Sequence, residues 1–182
     1  MNLLSLDLEL NQPSQNIIEI GCCVFNPKTG IILEDFVRYI KINEPLNPDI
    51  TTLTRITEDD LQQKGVSLWE AYQELVILKK KYQLHKQIVQ WGDGDVRCLK
   101  NQIFAANTNL QEGWWKFGFR WFDTKTLSQA FKMSREQPIK GGLQASMEDF
   151  GLNFEGVAHD ALVDARNTAV FFSYLLGCFR KN

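Results

Sequence analysis

Residues 3–10 read LLSLDLEL. In the second half of this stretch leucine alternates with acid, which is typical of a β-strand that buries one face and turns the other toward a cleft. Because alternate side chains of a strand share a face, Asp7 and Glu9 are predicted to point the same way, and the leucines beside them the other way. Two carboxylates on one face repel each other, so such a pair usually has a cation between its oxygens. The alternative is an exposed edge strand whose charges deter pairing, and this short string does not decide between them.

The segments after this strand predict a mixed sheet. Residues 16–25 are rich in β-branched and small apolar side chains, and residues 26–30 supply a turn before a third strand near 31–42. Short connections of this kind imply three antiparallel strands. Further strands near 87–91 and 119–122 alternate with helical segments, as parallel strands do. We therefore expect an α/β protein whose five-stranded mixed sheet is flanked by helices.

Local signals place the helices. Thr57 and Ser67 are each followed three residues later by an acid, which is the spacing of a capping box. Thr124 is predicted to cap a further helix, and Gly151 is expected to end another in a left-handed conformation. The predicted helices cover residues 67–82, a segment from 95, a segment after 124, and residues 142–150 and 160–178.

Length and composition narrow the class of protein. We expect residues 1–182 to form a single domain, which at this size buries roughly 70% of its unfolded surface. The four cysteines have no CxxC spacing and indicate reduced, buried thiols in a cytoplasmic protein. The N-terminus lacks the basic region and cleavage-site pattern of a signal peptide, and we expect no membrane-spanning segment.

Charge limits how the protein could bind nucleic acid. A formal net charge of −2 argues against coating nucleic acid by charge alone, but not against an enzyme that holds a few nucleotides. Six bases lie within residues 79–100 and six more within 116–140. Either segment could contact phosphates, although solvated helix and loop faces are the commoner explanation for surface lysines.

Two later motifs carry further ionisable side chains. Asp93 and Asp95 follow the fourth predicted strand in WGDGDVRCL, where open α/β sheets carry functional loops, although helix capping by Asp95 would explain one of them. His159 and Asp164 stand five residues apart in HDALVDARNTA, with Asp164 inside the terminal helix. Considered alone, a histidine near a helix start is more often structural than catalytic.

Taken together, the three motifs resemble the DEDDh 3′-to-5′ exonucleases. The order is D-x-E on the first strand, an aspartate about ninety residues later, and H-x4-D near the C-terminus. The ending H-x-A-x-x-D-A-x-x-T-A is especially similar, and the resemblance covers nearly the whole chain. It implies a ribonuclease-H-like fold. WGDGD and FDTKTL are closest to the branch that trims small RNAs and histone messenger ends, so RNA is favoured over DNA by association.

The resemblance also implies a role for each site residue. Asp7 would bridge two divalent cations, Glu9 and Asp164 would complete the first metal site, and Asp95 would hold the second. His159 would be the general base. Four carboxylates are hard oxygen ligands that suit Mg²⁺ or Mn²⁺. A histidine can accept a proton from the attacking water at neutral pH, a step worth roughly 10² to 10⁴ in rate.

Other positions near these motifs leave alternatives open. Asp93 is a candidate supporting acid behind the metal ligands. Asp160 stands where family members often carry a basic or polar residue, a departure that affects how the substrate phosphate is met. Leu10 resembles the family's apolar wedge beside the last base. Trp91 could stack on a base, worth about 1–3 kcal/mol, but core packing is an equal alternative.

Trp114 and Trp115 are a further aromatic pair, for which core or lid packing is favoured over an exposed grip on single strands. Two other functions compete with an exonuclease acting on the 3′ ends of single-stranded RNA or DNA. One is a catalytically silent protein of the same fold that binds RNA or a protein partner. The other is a resolvase- or transposase-type endonuclease. Intact carboxylates argue against the silent protein, because a dead copy is expected to lose some of them.

Overall fold

Five strands form one mixed sheet in the computed structural model, which describes residues 1–107, 109–139 and 141–180. The strands are β1 (Leu3–Leu10), β2 (Ile17–Phe25), β3 (Ile32–Tyr39), β4 (Ile88–Gln90) and β5 (Phe122–Asp123). Their order is β3-β2-β1-β4-β5. The β1, β2 and β3 strands pair antiparallel, whereas β4 and β5 continue from β1 in parallel. The predicted α/β class and mixed five-stranded sheet are confirmed.

Seven helices within the described residues flank the sheet. They are α1 (Pro48–Thr54), α2 (Glu58–Lys64), α3 (Leu68–Tyr82), α4 (Asp95–Ala106), α5 (Thr124–Met133), α6 (Leu143–Asp149) and α7 (Ala161–Arg180). Thr57 forms the predicted capping box with Asp60 at the start of α2. Gly151 follows α6 with φ of 73°, the left-handed conformation that was predicted. None of the helices in the described ranges has the length and apolar character of a membrane span.

The two faces of β1 pack against different helices. Its even-numbered leucines join one apolar cluster with residues of α3 and α4, while Leu3 joins a second cluster with Phe172 of α7. Because alternate residues share a face, Asp7 and Glu9 lie on the same side as Leu3, facing α7. The predicted orientation of the acid pair is therefore confirmed.

The start of α7 packs directly on the sheet at Gly21 of β2, which pairs with Asp7. A Cβ atom added at Gly21 would lie 2.0 Å from the carbonyl carbon of Ala161. No side chain larger than hydrogen fits there, so glycine sets how closely α7 approaches the acid pair.

Two strand boundaries differ from the prediction. The third strand ends at Tyr39 rather than near residue 42. The N–H of Ile40 still donates to the carbonyl of Ile18 on β2, but on its other side Ile40 makes an isolated bridge to Val66. The fifth strand is Phe122–Asp123 rather than 119–122. It forms only two residue pairs with β4, which is itself only three residues long.

The ends of two helices also differ. Thr124 is the first residue of α5, and the cap is Asp123, whose side chain accepts the N–H of Thr126. Helix α1 was not predicted. Asn47 caps it by accepting the N–H of Asp49, and Pro48 occupies its first turn, where a missing N–H is tolerated.

Candidate active site

Three elements bring the acidic motifs to one edge of the sheet. Asp7 and Glu9 lie near the C-terminal end of β1, and Asp95 begins α4 shortly after β4. Since β1 and β4 are parallel, both chains arrive at the same edge. Asp164 lies in the first turn of α7, on the face of β1 that carries the acid pair.

His159 joins this group through the segment before α7. One ligand atom each of Glu9, His159 and Asp164 lies within 4.8 Å of the other two. The backbone N–H of His159 donates to Oδ2 of Asp164 at 3.1 Å, and the residue has a φ of 63°. A left-handed conformation is uncommon for a residue other than glycine. The imidazole is exposed and close enough to the acids to serve either as base or as ligand.

The electrostatics of the acids show that their carboxyls lie close together. Burial raises the pKa of the Asp7 carboxyl well above its ordinary value, and the charges of Asp95 and Asp164 raise it further. Burial and the charge of Asp164 raise the pKa of Glu9 to about 8. Burial raises the pKa of Asp95 to about 7. Burial also raises the pKa of Asp164, against the hydrogen bond from the His159 N–H.

This arrangement fits divalent cations. Ionising four neighbouring carboxyls without a counter-ion is unfavourable, as the raised pKa values show. Carboxylate oxygens are the donors that Mg²⁺ and Mn²⁺ prefer. Within the described residues, no lysine or arginine forms a salt bridge with any of the four acids. A bound cation would supply the missing positive charge.

Glu19 is a fifth acid at this edge that the sequence analysis missed. It lies on β2 opposite Glu9 and is only 4% exposed. Its Oε2 accepts the N–H of Ala161 at 3.1 Å, at the first residue of α7. Burial raises the pKa of Glu19 to about 7, although this hydrogen bond opposes the shift. The available signal was a single acid within the otherwise apolar run IIEIGCCVF.

Glu19 and Asp160 together hold the first turn of α7. Oδ1 of Asp160 accepts the N–H of Val163 at 3.0 Å, so this departure from the family pattern serves as a helix cap. The two acids satisfy N–H groups that lack partners within the helix. They thereby fix the position of Asp164, one turn further along.

The loop before α4 separates the roles of its two aspartates. The cap position of α4 is Gly94, which offers no side chain, so Asp95 does not cap the helix. Asp93 is exposed and forms an ion pair with Arg97 at 2.8 Å. Its role as a supporting acid stays a prediction.

The predicted substrate contacts differ in their surroundings. Leu10 is partly exposed and packs at the margin of the α3 and α4 cluster. The ring of Trp91 stacks on Phe171 with centroids 6.1 Å apart, which is the core-packing alternative, and its stacking on a base stays a prediction. Trp115 is buried and stacks on Tyr72, in line with core packing.

Solved structures share this ribonuclease-H-like exonuclease fold. A structure described as 3′-end specific recognition of histone mRNA stem-loop by 3′-exonuclease has a TM-score of 0.78 at 20% identity, covering 96% of this chain and 63% of that one. The nuclease domain of 3′hExo, described as a DEDDh family member bound to rAMP, has a TM-score of 0.74 at 19% identity, covering 97% and 91%. The fold class predicted from the motifs is confirmed.

The family model described as Exonuclease (RNase_T) matches residues 4–172, so the chain belongs to this nuclease family. ERI1 exoribonuclease 2 of Xenopus laevis is 26% identical over 197 residues, covering 92% of this chain and 27% of that protein. Its namesake in Danio rerio is 26% identical over 192 residues, covering 93% and 33%. The chain spans about a third or less of the length of these curated relatives. The resemblance to DEDDh exonucleases is confirmed.

Proposed function

We propose that this protein is a 3′-to-5′ exonuclease that hydrolyses the terminal phosphodiester bond of single-stranded RNA and releases 5′-mononucleotides. It would use two Mg²⁺ or Mn²⁺ ions. One observation carries the proposal, which is the convergence of separate segments on one sheet edge. The residues that converge are Asp7, Glu9, Asp95, His159 and Asp164. Mutually repelling acids that are buried or partly buried destabilise a fold unless a cation is bound, so a metal-binding role explains them better than a structural one.

In this proposal each acid has a distinct place. Asp7 would contribute to both metal sites, since its carboxyl lies close enough to Asp95 and Asp164 for their charges to raise its pKa. Glu9 and Asp164 would complete one metal site, and Asp95 would hold the other. When bound, two such cations neutralise charge on both the attacking and the leaving oxygen of a phosphodiester.

His159 accepts the proton of the attacking water. Its backbone N–H is held by Asp164, while its side chain is exposed at the mouth of the site. An exposed imidazole beside the acids is open to solvent, as a base that takes a proton from water must be. Leu10, beside Glu9 and partly exposed, lies where it can contact the last base. The preference for RNA rests on the motifs and on the names of the relatives.

A direct test follows a 5′-labelled single-stranded RNA with a free 3′ hydroxyl. In Mn²⁺ the labelled strand should shorten stepwise and release 5′-mononucleotides, and EDTA should stop the reaction. A 3′ phosphate should block it. DNA of the same sequence should be degraded more slowly.

Other outcomes identify the competing functions. Cleavage of circular RNA at a comparable rate would indicate an endonuclease. Tight binding of RNA without any release of nucleotides, in either metal, would indicate a catalytically silent protein.

A further inference from the structure

One face of α4 combines two bases, of which Arg97 is exposed and Lys100 partly exposed, with an exposed aromatic ring. Arg97, Lys100 and Phe104 fall within an arc of about 60° around the helix at 3.6 residues per turn. Phe104 is 65% exposed, and the side chain of Arg97 is 57% exposed. This face begins two residues after Asp95 and ends at Phe104, about 14 Å along the helix from that acid.

The loop before β5 adds two more aromatic rings to this face, Phe119, which is exposed, and Trp121, which is partly buried against the α3 and α4 cluster. Nζ of Lys100 lies 4.4 Å from the ring centroid of Phe119, and Cζ of Arg97 lies 5.5 Å from the ring of Trp121. Phe119 is 76% exposed, although an apolar ring of this size is usually buried. We call these side chains the basic-aromatic strip: Arg97, Lys100, Phe104, Phe119 and Trp121.

The exposure of Phe119 is fixed by its neighbours along the chain. The N–H of Gly118 donates to the carbonyl of Lys86 at 2.5 Å, and Nε1 of Trp115 donates to the carbonyl of Gly118 at 3.1 Å. Phe117 is buried, and Phe122 belongs to β5. The loop is thus anchored on both sides of Phe119, so the ring is presented to solvent in an ordered position.

The strip joins the two basic segments of the sequence. Arg97 and Lys100 come from residues 79–100, and the loop whose rings contact them comes from 116–140, of which Lys140 lies outside the described residues. Lys86, Lys116 and Arg120 are exposed at or near this loop. The acids nearest the strip along the chain are Asp95, two residues before Arg97, and Asp123, two residues after Trp121, while Asp93 is paired with Arg97. A protein with net charge −2 therefore concentrates positive charge beside its acidic site.

We propose that the basic-aromatic strip binds single-stranded RNA upstream of the 3′-terminal nucleotide. This inference rests on the proposed function. Exposed rings stack on bases of any sequence, and cations beside them neutralise the phosphates between those bases. In the loop between β4 and α4, Gly92 and Gly94 have open space where a Cβ would stand, so this loop beside the acids carries no side chain at either position.

The test measures binding without catalysis. Fluorescence anisotropy of a labelled single-stranded RNA of about ten nucleotides, in EDTA, gives its affinity for the whole chain. Phe119→Ala and Lys100→Ala should each weaken binding about tenfold. Lys100→Ala should also reduce the slope of log affinity against log salt by about 0.7, while Phe119→Ala should leave the slope unchanged. A packing defect would not separate the two variants in this way.

Matched controls come from the other end of the molecule. Lys28 lies in the turn after β2, and Phe179 is exposed near the end of α7. Lys28→Ala and Phe179→Ala should bind as the wild type does. In Mn²⁺, the strip variants should raise KM for the ten-nucleotide RNA and leave KM for a dinucleotide unchanged, because a dinucleotide does not reach the strip.

The results separate this inference from the proposed function. If the wild type binds the RNA through the strip but releases no nucleotides, the exonuclease proposal fails and the strip stands. If the RNA is degraded but both strip variants bind it within twofold of wild type, the strip is overturned. The proposal would also be overturned if the strip variants raised KM equally for the dinucleotide and the longer RNA, or if the wild type did not bind the RNA.

Discussion

The paired strands β1 and β2 have two contrasting ends. At the first, where β1 begins, Leu3 pairs with Phe25 and Leu4 with Val24, and all four side chains are buried. At the other end of the same two strands, Asp7 faces Gly21 and Glu9 faces Glu19. The first end stabilises the fold, at roughly 1.5 to 3 kcal/mol for each large apolar side chain buried.

The second end does the opposite while no cation is bound. Glu9 is 8% exposed and Glu19 is 4% exposed, and burial raises the pKa of both carboxyls. The same pair of strands therefore has one end that stabilises the fold and another end whose negative charge needs a bound cation. The predictions below test this division, beginning with the largest effect.

Asp7→Asn and Leu4→Ala should have opposite consequences. Asp7→Asn removes the proposed bridging charge, and activity should fall about 10⁴-fold or more. Its melting temperature in EDTA should equal or exceed that of the wild type, because a repelling acid has gone. Leu4→Ala should lower the free energy of unfolding by about 2 to 5 kcal/mol, with kcat of the folded enzyme nearly unchanged. Calorimetry and kinetics on both variants check this, and a large stability loss in Asp7→Asn would assign that acid a structural role.

His159→Ala and Asp164→Ala separate a base from a ligand. Possible ligand atoms of His159, Asp164 and Glu9 all lie within 4.8 Å of one another, so the positions of the two side chains do not distinguish a base from a ligand. His159→Ala should reduce kcat roughly 10²- to 10⁴-fold and keep its affinity for Mn²⁺. Asp164→Ala should lose Mn²⁺ affinity and recover part of its rate at raised Mn²⁺. Equal losses of metal affinity, measured by calorimetry, would make His159 a ligand instead.

Gly21→Ala tests how α7 is positioned over the acids. The new methyl group would meet the backbone of Ala161, so the helix must shift. We expect a loss of about 3 kcal/mol in the free energy of unfolding, together with weaker activity of the folded protein. Gly177 lies in α7 itself and has open space where a Cβ would stand. Gly177→Ala is therefore the matched control and should be neutral or slightly stabilising. If both alanine variants unfold alike, close packing at Gly21 does not position the helix.

The pH dependence of stability should reveal the acidic end in the absence of metal. The pKa of Glu9 is raised to about 8, and those of Glu19 and Asp95 to about 7. Groups whose pKa is raised by folding stabilise the protein below their ordinary values, and this contribution is lost as pH rises through the raised values. The melting temperature in EDTA should therefore fall by at least about 10 °C between pH 5 and pH 8.

Two additions sharpen this measurement. Saturating Mn²⁺ should reduce the fall, because the cation offsets the repulsion among the acids. Glu19→Gln should reduce it as well, since the amide oxygen can still accept the N–H of Ala161 but carries no charge. A melting temperature in EDTA that stays flat or rises over this range would contradict the raised pKa values.

The sequence allowed the acid pair to be predicted because its signal is local. Strand periodicity places Asp7 and Glu9 on one face whatever lies around them. The motif spacing then predicted that Asp95 and Asp164 belong to the same site, and the electrostatic coupling of their carboxyls to Asp7 agrees with this. The mixed sheet also followed from local strand and turn signals.

What the sequence did not predict depends on contacts between distant segments. Glu19 belongs to the site only because the register of β2 sets it opposite Glu9 and beneath α7. The packing of Trp91 on Phe171 joins the β4 edge to the last helix. The short β5 follows from the three-residue length of β4, which no pattern within residues 119–122 could indicate.

The most direct test of the account is a calorimetric titration of Mn²⁺ into the metal-free protein, wild type beside Asp7→Asn. We predict two ions per wild-type chain, with tight binding lost in the variant because Asp7 contributes to both metal sites. If the wild type bound no Mn²⁺, or if Asp7→Asn bound two ions with unchanged affinity, the buried acids would not be a metal site and the account would be contradicted.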